Sequence, residues 1–228
     1  MKKNKILILS LLATWVIAII SCSPDNYDKP TSPFSGRVVY KDQPLGIRGS
    51  SSDVYLLFFQ DGYELKSSFA CIVSQDGSYS AMLFDGTYKL VMNALRGPWV
   101  NNPDTVVVVV KGKTVKDYPV TPYYTLSNIS YNLSGTRLRA SFDVTLVDGS
   151  RAIEYVALMV NKTQFVDIGS NTHVAWTQVT GANAVPGHFD MELDISNVSN
   201  YPFLYARVGV KIAGIDHAIY DTKVEKIK

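Results

Sequence analysis

The stretch RLRASFDVTL, Arg137 to Leu146, decides the fold. Leu138, Ala140, Phe142, Val144 and Leu146 alternate with Arg137, Arg139, Ser141, Asp143 and Thr145. A β-strand turns successive side chains to opposite faces, so this segment has one dry and one wet face. The same period recurs in HFDMELDI (188–195), with Phe189, Met191, Leu193 and Ile195 inward and His188, Asp190, Glu192 and Asp194 outward. In LYARVGVKI (204–212), Leu204, Ala206, Val208, Val210 and Ile212 share the inward face. Strands wet on one side belong to antiparallel sheets packed as sandwiches.

Toward the N-terminus the strand signals are shorter: FSGRVVY (34–40), VYLLFFQ (54–60), FACIV (69–73), YSAMLF (79–84), TYKLVM (87–92) and TVVVVV (105–110). Branched and aromatic residues fill them. Asp61-Gly62, Asp76-Gly77, Asp85-Gly86 and Lys111-Gly112 lie between, and Asp-Gly permits the positive φ of tight hairpins. No stretch of useful length has a helical period. The expectation is an all-β chain of two consecutive antiparallel β-sandwich domains, 34–120 and 121–228, divided near Pro119 to Pro122. Both pieces have ordinary sandwich sizes.

What precedes residue 34 reads as an address. Lys2, Lys3 and Lys5 open the chain, and an uncharged, mostly apolar run from Ile6 to Ile20 follows. A basic start with a short apolar core makes a secretory signal, and the run falls short of the ~20 residues a membrane-spanning helix needs. Residues 1–21 are therefore read as a signal peptide, and 22–33 as an anchor cysteine with a polar, proline-rich tether. The chain has 22 basic and 20 acidic residues. Three lysines lie before Cys22, so the mature chain carries 19 against 20. No broad positive field remains to attract nucleic acid.

Functional motifs are sparse. His173, His188 and His217 have no metal-ligand spacing, and His188 falls on the wet face of its strand. There is no G-x-S-x-G elbow, although a Ser-His-Asp set need not be local in sequence. Asp76 stands alone where a calcium loop needs several acids, so it is a turn former. Cys71, inside an apolar strand, reads as a small core residue. No catalytic residue, metal or cofactor is assigned. Sugar binding needs an open aromatic face flanked by polar groups, and Arg96, Trp99, Asn101 and Asn102 in RGPWVNN are the ligand-binding candidates. The competing reading folds Trp99 back over the open end of the sandwich. Trp176, in HVAWTQV with Val174, is expected to pack in the core, and Tyr123 and Tyr124 between the modules.

Several resemblances sharpen this. Ile19-Ile20-Ser21-Cys22 resembles the lipobox of bacterial lipoproteins, which implies cleavage before Cys22 and lipidation of its thiol. Asp25 and Asp28 resemble the surface-export signal of Bacteroidetes lipoproteins, which implies outer-membrane anchoring at the cell surface, with the periplasmic face as the alternative. Gly36-Arg37-Val38-Val39, Pro44-Leu45-Gly46, Asp76-Gly77-Ser78-Tyr79 and Asp85-Gly86-Thr87-Tyr88 resemble transthyretin-like or carboxypeptidase-regulatory sandwiches. The second module, through Leu204 to Val210, resembles immunoglobulin or fibronectin III-like sandwiches. Pro44 to Gly49, Gln60 to Leu65, Gly97-Pro98-Trp99 and Arg207 to Lys211 together are similar to a two-domain lipoprotein family of gut Bacteroidetes. That resemblance implies a non-catalytic accessory protein of SusC/SusD-type glycan uptake, with polysaccharide and SusC/SusD-like proteins as partners. A structural or adhesive protein-binding lipoprotein is the alternative, and an enzyme with an unrecognised site the third reading.

Overall fold

A computed structural model describes residues 28–60, 62, 67–169 and 171–228. The expected signal peptide, the lipidation at Cys22 and the first part of the tether lie outside the described residues, as do Asp61 and residues 63–66.

The first module contains β1 (Ser32–Tyr40), β2 (Gln43–Pro44), β3 (Tyr55–Gln60), β4 (Ser68–Ile72), β5 (Ser78–Leu83), β6 (Gly86–Met92), β7 (Val106–Val110), β8 (Thr114–Val115) and β9 (Tyr118–Pro119). β1 pairs antiparallel with β2 and β5 and parallel with β8 and β9, forming one sheet. The other runs β4-β3-β6-β7. Between them, Phe34 of β1 meets the edge of Phe58 of β3 at 5.4 Å. Tyr88, Leu90 and Cys71 are buried in the same core.

The second module contains β10 (Tyr124–Ser134), β11 (Arg137–Leu146), β12 (Ile153–Asn161), β13 (Ala175–Thr180), β14 (Gly187–Asp194), β15 (Tyr205–Ile212), β16 (Ala218–Tyr220) and β17 (Glu225–Lys226). One sheet runs β10-β11-β14 and the other β13-β12-β15-β16, with β17 also beside β15. Leu138, Ala140, Phe142 and Val144 of β11 face Val208, Val210 and Ile212 of β15 across the core, as the alternation predicts. The molecule is all-β, with two sandwich-like domains.

The modules meet closely. One buried hydrophobic cluster runs through both, with Trp99, Val120, Tyr123 and Tyr124 inside it. At the seam Trp99 bridges to Pro122, the Tyr123 N–H donates to the Pro98 carbonyl at 3.2 Å, and Val100 N–H donates to Thr121 O at 2.9 Å. On the far side, Gly46 forms an isolated bridge with Tyr220, whose N–H donates to the Gly46 carbonyl at 3.0 Å. A Cβ at residue 46 would run into the carbonyl oxygens of Tyr220 and Asp221. Only glycine lets the two backbones approach this closely.

Candidate binding surface

The loop carrying the four sugar-binding candidates is closed. Trp99 is only 5% exposed. Its indole folds back over Gly97, where any side chain would collide with the ring and where φ is +147°. Asn101 Oδ1 accepts the Leu95 N–H at 3.2 Å, and Asn102 Oδ1 accepts the Asp104 N–H at 2.9 Å. These amides tie down their own loop. Arg96 is half exposed and lies 4.0 Å from Asp53. The four residues therefore form no open aromatic platform, because burying the indole removes more apolar surface from water than presenting it would.

Trp176 reverses the other expectation. It is 40% exposed, on the outward face of β13, the edge strand of its sheet. Ala175, Thr177 and Val179 turn partly inward, so the parity of the strand runs opposite to the one expected from Val174. Tyr155 of the neighbouring β12 meets the indole edge-on at 5.9 Å, and His173 tilts against it at 5.0 Å. His173 Nδ1 lies 3.2 Å from the Asp167 carbonyl oxygen, which fixes the imidazole to its loop. Gln178 and Thr180 follow Trp176 on the same face, both exposed. This is an aromatic corner on a rigid sheet with an amide and a hydroxyl beside it. The polar residues at 178 and 180 were the signal that this face is wet.

The opposite sheet brings together a Ser-His-Asp chain that no local motif announced. His188 Nδ1 lies 2.7 Å from Asp143 Oδ1, and His188 Nε2 lies 3.2 Å from Ser141 Oγ. The Asn128 amide donates to Asp143 Oδ2 at 2.6 Å, and Asp190 lies 3.5 Å from His188 Nε2. The hydrogen bond to Asp143 and the two carboxylates raise the imidazole above its ordinary value. The bond from Asn128 and the one to His188 lower Asp143 in turn. All of this sits on an open sheet face. Ser141 is in the central strand, paired with Ser130 of β10 and Asp190 of β14, so ladders on both sides take up the amides from which an oxyanion hole would be built. The chain of contacts serves as cross-strand pairing between β11 and β14.

On the same outward face of this sheet, across Met159 of β12 from Trp176, lies the least expected residue. Arg207, on the outward parity of β15, is 0% exposed. Its Nε–H donates to Asp221 O at 2.7 Å, Nη1 to Ile47 O at 3.0 Å and Val166 O at 3.4 Å, and Nη2 to Gln75 O at 2.8 Å. The guanidinium also stacks over Tyr220 at 4.7 Å. Among the described residues no carboxylate pairs with it. Backbone carbonyls from both modules solvate the charge, and burial pulls its pKa below the ordinary arginine value. Beside it, Asp167 accepts from Ser50 N–H at 3.1 Å and Gly169 N–H at 2.8 Å and lies 3.5 Å from Arg48 Nε. Burial pushes the Asp167 carboxyl up, but bonds from Thr172, Ser50 and Gly169, with Arg48 alongside, outweigh it and hold the carboxyl below its ordinary value.

Two halves of this architecture match family descriptions. Residues 32–121 match the N-terminal domain of the protein of unknown function DUF3823, and residues 124–226 match the DUF3823 C-terminal domain of unknown function. A DUF3823 protein of Parabacteroides merdae is 39% identical, aligns over 88% of this chain and 100% of its own, and superposes with a TM-score of 0.80. The chain belongs to the DUF3823 family. A second DUF3823 protein, from Bacteroides ovatus, is 33% identical over 86% of this chain and 98% of its own, with a TM-score of 0.77. A candidate carbohydrate-binding protein of Bacteroides uniformis shares the fold, at 17% identity, 88% and 100% coverage and a TM-score of 0.68. No curated protein matches the chain. Within this DUF3823 protein, the junction of the two family domains is where Trp99, Tyr123 and Arg207 are buried.

Proposed function

We propose that this DUF3823 protein is a non-catalytic lipoprotein, anchored through Cys22 at the outer-membrane surface, that binds glycan and serves a SusC/SusD-type uptake system. The observation that carries the glycan reading is the exposed Trp176 on the wet face of β13, with Tyr155 and His173 beside it. The apolar C–H face of a pyranose packs on an aromatic ring, and Gln178 and Thr180 supply partners for its hydroxyls. Rigid aromatics with a few placed polar groups are the usual composition of small-ligand sites. The B. uniformis protein with this fold, itself named as a candidate carbohydrate binder, is in keeping with the reading.

Titration of the lipid-free chain against a panel of neutral and acidic polysaccharides tests it. Binding by the parent and its loss in Trp176→Ala, with Trp99→Phe still binding, is the expected result. A panel without binding, or an unchanged Trp176→Ala, overturns the assignment. Anchoring is tested separately by membrane fractionation, where Cys22→Ala is expected to leave the membrane fraction.

A further inference from the structure

Exposed sheet edges invite pairing with another chain, and proteins protect them with charges, bulges or covering elements. The β14 edge carries His188, Asp190, Glu192 and Asp194. The β10 edge is broken by a bulge between Ser127 and Ser130, with Asn128 at φ +53°. β4 leans on β5 and β13 on β14 where the sandwiches close at their corners.

β7 has none of these protections. It is five consecutive valines, paired with β6 on one side. Among the described residues its backbone makes no hydrogen bond to any other element. Val107 and Val109 point outward, 57% and 67% exposed. On the same outer face Lys89 and Thr87 of β6 stand beside Val107 and Val109, and Val91, Leu57, Tyr55 and Ile72 lie further across the sheet.

We infer that β7 pairs antiparallel with β7 of a second copy of this chain, fusing two four-stranded sheets into one continuous sheet. The strand is complementary to itself only in that direction. A two-fold axis at Val108 sets Val107 of one copy opposite Val109 of the other, so the most exposed side chains cover each other on one face. Just beyond the strand ends, the same register brings Asp104 of each copy alongside Lys111 and Lys113 of its partner. Parallel pairing would set those lysines against their own copies. Because each copy offers the same patch, the contact closes as a dimer and does not propagate. This association does not depend on the glycan reading.

Sedimentation velocity of the lipid-free chain starting at Ser23 tests the pairing, since the P. merdae relative folds as a chain matching only 88% of this one. The parent is expected to shift from monomer to dimer across about 1–100 μM, the range of moderate association. V107K/V109K, which sets lysines opposite lysines across the axis, and V107E/V109E are each expected to remain monomeric. Their equimolar mixture is expected to dimerise again. Both positions face solvent, so the substitutions leave the core untouched. A parent that stays monomeric, a dimer that survives in V107K/V109K, or a mixture that fails to associate overturns the inference.

Discussion

β11 and β15 have the same alternation of apolar and polar residues, and each carries an arginine on the outward parity. Arg139 of β11 stands in water and binds Glu192 at 2.8 Å. Arg207 of β15 is sealed from water by loops of both modules. The period of a strand says which residues share a face; whether that face stays wet depends on what the rest of the chain lays over it. On β11 nothing does, and its charges contribute little. On β15 a small second cluster of Ala157, Met159, Val166, Ala218 and Tyr220 surrounds the guanidinium. There the charge is a structural part.

Breaking the contrast should give its largest effect at Arg207. Arg207→Met leaves the carbonyls of Ile47 and Asp221 without the arginine donor and Gln75 O with the Ile47 N–H alone, and stability is expected to fall by about 3–5 kcal/mol. Arg139→Met, its counterpart on β11, should stay within about 0.5 kcal/mol of the parent in the same urea titration. Equal losses would erase the distinction.

Gly46→Ala tests the approach that covers β15. Its methyl meets the carbonyls of Tyr220 and Asp221, and a loss of about 1–3 kcal/mol is expected in thermal melts. A neutral result would mean that the two modules part there at little cost.

The pH dependence sharpens the contrast further. The folded-state value of Asp167 is lowered, so its contribution is present above the ordinary value of 3.8 and lost as pH falls through the depressed folded value. The parent's advantage over Asp167→Asn should therefore be full at neutral pH and vanish in strong acid. His188, exposed on the β11 side, has the opposite sign. Its value is raised, so the benefit of the protonated ring is full below 6.5 and disappears as pH rises through the raised folded value. By NMR its titration should move toward 6.5 in Asp143→Asn, with a smaller effect on stability than Arg207→Met, Gly46→Ala or Asp167→Asn.

Much of the fold was legible. The six runs of the first module became β1, β3, β4, β5, β6 and β7 within two residues of their expected limits, because each is bounded by turn residues whose backbone needs are local. The β11, β14 and β15 alternation was equally readable, except that Leu146, expected on the dry face, is exposed at the end of β11. Trp176 was not legible, and of the two readings open for Trp99 the folded-back one holds, since a tryptophan satisfies either a core or a surface face. Only Gly97, which leaves room for the Trp99 ring, and the polar parity at Gln178 and Thr180 separate the two cases. Arg207 gave no signal at all. Its partners are main-chain carbonyls, which leave no trace in side-chain identity.

The bond from Arg207 to Ile47 joins residues 160 positions apart. Such contacts impose an order on folding, because loop closure over long separations is slow. The first module can complete its sheets before β15 exists, whereas β15 cannot bury its charge until the loops around Ile47 and Gln75 are in place. The first sandwich is thus a template for finishing the second. Transplanted alone, the second half would carry an unsheltered cation amid apolar residues.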